Sequence, residues 1–179
     1  MSTSTGMGNG MRVGSGAMAG DGRCAGLAVT AAQGTLSDAQ KATLAAMAQE
    51  EKLAHDLYAT FADTYPAAVF DHVATAENQH LTAVRTLLQR YGITDPTAGE
   101  PIGQFSDRTV QATYDKLLSQ GRTGQAAALG VGQQVERADI GDLTAALDGL
   151  SAPDATQVYQ HLLTASQQHL TAFTRWTTR

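Results

Sequence analysis

The run from Phe70 to Tyr91 places Phe70, Val73, Ala74, Leu81, Val84, Leu87, Leu88 and Tyr91 at helical spacing, with Glu77 set inside the stripe. Glu77 and His80 stand three residues apart, one turn along one helical face. A carboxylate on an inward face needs a partner, because an unpaired buried charge costs several kcal/mol. A metal ion is a partner that uses both side chains. Glu-x-x-His directed into a helix bundle is the pattern of di-metal carboxylate sites.

The other segments repeat the arrangement. Ser37-Asp38-Ala39-Gln40 reads as a capping box that opens a first helix. Leu44, Met47, Glu51, Ala54, Tyr58 and Phe61 follow in steps of three and four, an inward seam with Glu51 at one position. Glu50 lies off that seam. His55, one turn after Glu51, reads as a supporting or surface residue rather than a ligand. The helix stops near Tyr65-Pro66, since the residue before proline is driven out of helical geometry. The second helix runs from about Pro66 to Tyr91, with Gly92 as its stop. Residues 93–105 carry two prolines and two glycines, the long connection expected between two antiparallel hairpins.

Ser106 is positioned to cap a short helix through Val110, Tyr114, Leu117 and Leu118, ending at Gly121. Thr123 is positioned to cap the next, from Gly124 to about Leu150. Its seam includes Leu129, Val135, Ile140, Leu143, Leu147 and Leu150, with Glu136 and Asp139 on or beside it, three residues apart. Gly132, one turn before Glu136, either opens space beside a site or lets two helices approach, and the second reading is preferred. Ser151-Ala152-Pro153-Asp154 starts the last helix, with Ser151 as cap and Asp154 at the capping-box position. Val158, Leu162, Ala165, His169, Ala172 and Trp176 form its seam, which makes His169 interior and leaves His161 nearer an edge.

Residues 1–34 hold nine of the eighteen glycines and four of the five methionines and show no period. Such sequence cannot bury enough to offset chain entropy, so it reads as a flexible Gly/Met-rich tail before a bundle over 35–179. Met7, Met11, Met18 and Cys24 are soft ligands of the kind that hold Cu(I), but their irregular spacing favours disorder. The net charge of −5 argues against a nucleic-acid surface. One cysteine leaves no internal disulfide. No apolar run reaches membrane-span length. The chain as given shows no apolar h-region behind a basic start, which points to the cytoplasm and leaves an extracytoplasmic location open.

Glu51, Glu77, His80, Glu136, Asp139 and His169 are thus the polar residues that interrupt apolar seams. Four buried carboxylates without a cation repel one another and take up protons. Two divalent cations cancel their charge, and the two imidazoles add neutral nitrogen donors. This mixed set suits iron, manganese or zinc better than calcium. Each piece alone has a plainer explanation, such as a hydrogen-bonded core histidine or a surface pairing of Glu51 with Lys52 or Arg85. The weight lies in the set, because every long helix has its seam broken near the middle.

The run Met47 to Asp56, followed by Glu77-Asn78-Gln79-His80-Leu81 and then Leu87 to Gly92, resembles the ferritin-like superfamily. More narrowly it resembles an uncharacterised branch, the domain of unknown function 2202, over about residues 35–175. The resemblance implies an all-α fold: an antiparallel four-helix bundle with a long crossover, a short extra helix and a dinuclear metal centre, as in rubrerythrins and bacterioferritins. Those proteins oxidise ferrous iron or reduce oxygen or peroxide. By residue, Glu51 matches the first-helix glutamate, Glu77 and His80 the second-helix pair, Glu136 the third-helix glutamate and His169 the fourth-helix histidine.

Ser166 stands where the superfamily pattern asks for a glutamate. Asp139 resembles the second acid that rubrerythrins carry on the third helix, and it is the candidate replacement. The resemblance further implies two iron ions, with oxygen or peroxide as partners and an external electron donor, since there are no rubredoxin-type cysteine pairs. A homodimer is compatible with the sequence. Two rival expectations are a non-catalytic metal-sequestering stress protein, and a metal-free interaction bundle whose acids are satisfied by Arg85, Arg137 or water.

Overall fold

The computed structural model describes residues 27–178. Met7, Met11, Met18 and Cys24 lie outside the described residues. The first helix, α1 (Asp38–Thr64), begins at a capping box: Ser37 Oγ accepts from the Gln40 backbone N–H at 3.2 Å, and the Gln40 side chain accepts from the Ser37 N–H at 2.9 Å. It ends at Tyr65, which is extended (φ −123°, ψ 141°) ahead of Pro66. The second helix, α2 (Val69–Arg90), starts three residues later than its proline suggests. Pro66–Ala68 is used to reverse the chain and bury Ala67, and only then do Val69 and Phe70 turn inward. Beyond α2, Gly92 takes φ +64°, and Ile93 N–H returns to the Leu88 carbonyl at 2.9 Å.

The remaining boundaries show three local corrections. In α3 (Arg108–Gly121) the cap is Asp107, whose carboxylate accepts from Thr109 N–H at 2.7 Å and Val110 N–H at 3.1 Å. Ser106 instead bonds Glu100. In α4 (Gln125–Leu147) Thr123 does not cap, because its hydroxyl donates back to Gln120 O at 2.8 Å. In α5 (Pro153–Thr177) the cap position is Ala152, and Asp154 forms no capping box with Ser151. Its buried carboxylate accepts from Tyr91 Oη at 2.6 Å, Gly34 N–H at 3.2 Å and Arg90 at 3.3 Å.

That cluster also holds residues that composition assigns to the tail. Arg90 donates to Val29 O at 2.7 Å and Ala31 O at 3.0 Å, and Gln157 accepts from Ala31 N–H at 2.9 Å. Leu27 and Val29 pack on the core. Residues 27–34 therefore lie along the helices without secondary structure of their own.

All the described secondary structure is helical. α1 pairs with α2 and α4 with α5, and the pairs meet through α1 with α4 and α2 with α5. α3 lies across α4 and α1. The connection before α3 is tied down by a buried cation. Lys52 pairs with Asp56, donates to Pro101 O at 2.8 Å and stands 4.5 Å from the Phe105 ring centre. Lys52 and Arg85 are thus not partners of Glu51; Arg85 holds Asp95 at 2.8 Å. Among the described residues no helix is long and apolar enough to cross a membrane.

The apolar interior is divided. One cluster gathers Leu57, Tyr58, Phe61, Phe70, Val73, Leu129 and Phe173, and the other Leu44, Met47, Leu81, Val84, Leu143, Val158 and Leu162. On each long helix the residues of one cluster precede those of the other. Between them, at mid-length, every long helix places its polar interruption.

Candidate metal centre

The polar layer is buried. Glu51 is 2%, Glu77 2%, His80 1%, Glu136 1% and His169 0% exposed. Glu77 on α2 lies at its centre, with Oε2 2.8 Å from His80 Nδ1 and Oε1 2.9 Å from His169 Nδ1 on α5. Glu51 Oε2, from α1, stands 3.4 Å from His80 Nδ1, and Glu136 Oε2, from α4, stands 3.6 Å from His169 Nδ1. The two imidazole rings stack with centres 5.6 Å apart and planes 24° off parallel.

These contacts form two sets of three donors. Glu51, Glu77 and His80 bring one ligand atom each within 4.8 Å of one another, and so do Glu77, Glu136 and His169. Glu77 belongs to both sets. Each set combines two carboxylates with one imidazole, a donor mixture that suits a small divalent transition metal. Glu51 Oε1 is buried and has no hydrogen-bond partner, as expected of an oxygen reserved for a cation. The donor chemistry of each set therefore fits a divalent ion, with Glu77 common to both.

The electrostatics point the same way. Burial pushes the Glu77 carboxyl up, but the charges and hydrogen bonds of His169 and His80 outweigh it and hold Glu77 well below the ordinary range. Burial drives Glu51 well above its usual value, with Asp139 and Glu77 adding to the rise. Burial and the Glu77 charge raise Glu136 to about 7. Burial also raises Asp139, despite its bond from Ser166. Burial thus disfavours the charged form of Glu51, Glu136 and Asp139, whereas a bound dication would favour it.

Asp139 is placed differently from the other five. It belongs to neither set of three, and its carboxylate is engaged by the hydroxyl of buried Ser166. Ser166 on α5 thus holds the carboxylate of Asp139 on α4. Tyr58, fully buried on α1, donates to Glu136 Oε1 at 2.8 Å and fixes that carboxylate. His161 stands edge-on to His80 at 5.9 Å between ring centres, with its Nε2 buried and without a hydrogen-bond partner. His55 lies outside the centre, with Nδ1 2.8 Å from Asp56 Oδ1.

Gly132 answers the question its position raises. A Cβ there would lie 2.8 Å from the Phe173 ring, so its role is close approach of α4 to α5. Nothing in the structure explains Gly130 or Gly141, where an added Cβ would meet open space. The Ser166–Asp139 bond was hidden from sequence reasoning, since it depends on how α4 and α5 are juxtaposed. Only the spacing of Ser166 from His169 hinted at it.

A family model described as "Uncharacterized protein domain (DUF2202)" matches residues 40–178. The chain is 36% identical over 140 residues to "Uncharacterized protein MJ0754" of Methanocaldococcus jannaschii, a match covering 78% of this chain and 76% of that protein. The solved structure "hypothetical protein MJ0754" is similar with a TM-score of 0.80 at 34% identity, over 83% of this chain and 85% of the other.

Proposed function

We infer that this chain, which belongs to the family of the uncharacterized protein domain DUF2202, is a ferritin-like di-metal carboxylate protein acting in iron, oxygen or peroxide redox chemistry. The observation that carries the reading is the sharing of Glu77 between two sets of three buried ligands. Two helical pairs joined by a long connection support a ferritin-like bundle. Glu51, Glu77 and His80 would hold one ion, and Glu77, Glu136 and His169 the other. Iron held there would supply redox chemistry toward dioxygen or peroxide, with an external donor needed to restore the reduced state.

The chain's own residues do the rest. Glu77 ties the two positions together and stays ionised between two imidazoles. Tyr58 Oη holds Glu136 in one orientation. The apolar clusters on either side bury the layer along the bundle axis and strengthen each charge interaction. Anaerobic loading with ferrous iron, followed by mixing with oxygen or peroxide, tests the reading. Two irons retained per chain and rapid consumption of the oxidant are expected; retention of no metal would overturn it.

A second reading, metal sequestration without turnover, is favoured by one observation. Asp139 is engaged by Ser166 and belongs to neither set of ligands. Stable metal content with no oxidant consumption selects this reading.

A further inference from the structure

A cleft of about 300 Å³ descends from exposed Thr109, Thr113 and Ala138 to the buried carboxylates of Glu51, Glu77 and Glu136. α3 forms one side of it, and α1 and α4 the others. The walls are mainly apolar, with Leu53, Ala54, Val110, Leu117 and Val135. Dioxygen, peroxide or a single cation needs only a small part of that space. An apolar cavity of about 150 Å³ already holds benzene, and pockets for small organic molecules begin at about 300 Å³.

The lining also selects by charge. Among the described residues it contains no Lys, Arg or His, and Glu50 and Asp142 stand in it beside the deeper acids. An anion would enter against these carboxylates and lose its water among apolar walls. At the deep end stand the buried carboxylates of Glu51, Glu77 and Glu136.

We propose that this cleft binds a small uncharged organic molecule, an apolar body of roughly ten non-hydrogen atoms bearing a hydroxyl. The body lies between α3 and α4 and the hydroxyl is directed at the carboxylates of the centre. Its position as a reactant rests on the metal-centre reading; its binding rests on the cleft.

The test uses the full chain with chelator present, so that the carboxylates alone set the charge of the cleft and no redox chemistry intervenes. para-Fluorobenzyl alcohol and para-fluorobenzoate are titrated in and followed by fluorine NMR, and zinc content is measured on parallel samples loaded with zinc and desalted. Saturable binding of the alcohol is expected, with the benzoate weaker by about tenfold or more. Ala138→Trp and Thr113→Trp, two exposed rim positions, are expected to weaken alcohol binding by about tenfold while zinc content stays unchanged. Two zinc ions per chain with no saturable alcohol binding overturns the cleft proposal and leaves the metal centre standing. Binding unaffected by both tryptophans, or benzoate binding as tightly as the alcohol, also overturns it. Alcohol binding that both variants weaken, in a chain that retains no zinc, supports the cleft and removes the metal reading.

Discussion

Glu77 on α2 reaches across the bundle to His169 on α5, with Oε1 2.9 Å from Nδ1, while its other oxygen meets His80 on its own helix. One side chain therefore couples the two helical pairs and both candidate metal positions. A substitution there acts on both positions at once, whereas a substitution at Glu51 or Glu136 acts on one.

Glu51→Ala is accordingly expected to leave about one metal ion per chain, held by Glu77, Glu136 and His169. Metal analysis after loading and desalting checks this. Two ions retained in this variant would show that Glu51 is not a ligand.

Metal-free protein is expected to lose stability as pH rises from about 4.5 to about 7. In that interval the Glu136 carboxyl, raised to about 7 chiefly by burial, stays protonated when folded and is ionised when unfolded. The unfolded state thus binds fewer protons, and unfolding becomes easier with rising pH. The fall is expected to be a few kcal/mol, on the order of 5–10 °C in melting temperature. Metal should reverse the trend, because loading displaces protons and strengthens as pH rises. Thermal melts with chelator and with manganese, across this range, measure both effects.

Tyr58→Phe removes the donor to Glu136 Oε1 and keeps the ring against Phe173, 5.0 Å away between centres. Metal affinity is expected to fall by about tenfold, the usual scale for loss of a group that orients a ligand. The metal-free chain should also lose about 1–3 kcal/mol of stability, because buried Glu136 Oε1 is left without that donor. A competitive chelator titration measures the first effect and denaturant unfolding the second.

Gly132→Ala brings a methyl group to within 2.8 Å of the Phe173 ring. Destabilisation of about 1–3 kcal/mol is expected from overpacking. Denaturant unfolding should show it, whereas Gly130→Ala, where an added Cβ meets nothing, should be neutral or stabilising.

Asp139→Asn should preserve two-metal binding and weaken it less than Glu136→Gln does. Asp139 is engaged by Ser166 and belongs to neither ligand set. Equal losses in the two variants would place Asp139 among the ligands.

The helical elements were legible because capping and periodicity are local. Ser37-to-Gln40 and the Tyr65-Pro66 stop act within one turn, and the structure places both as the residues dictate. Glu51, Glu77, Glu136 and His169 stood out for a related reason: an ionisable group in the middle of an apolar seam has no cheap alternative to a partner.

What remained hidden depends on groups distant in sequence. Asp154 looks like a capping residue until Arg90, Tyr91 and Gly34 are seen around it. Residues 27–34 read as tail because their hold on the bundle comes from Arg90 and Gln157. The Ser166–Asp139 bond likewise needs α4 laid against α5.

The most direct test is the metal content of natural and Glu77→Ala chains, each loaded anaerobically with ferrous iron and then desalted. The expected result is two irons per natural chain and none in the variant. Equal iron in both, or none in the natural chain, would contradict a centre built around Glu77.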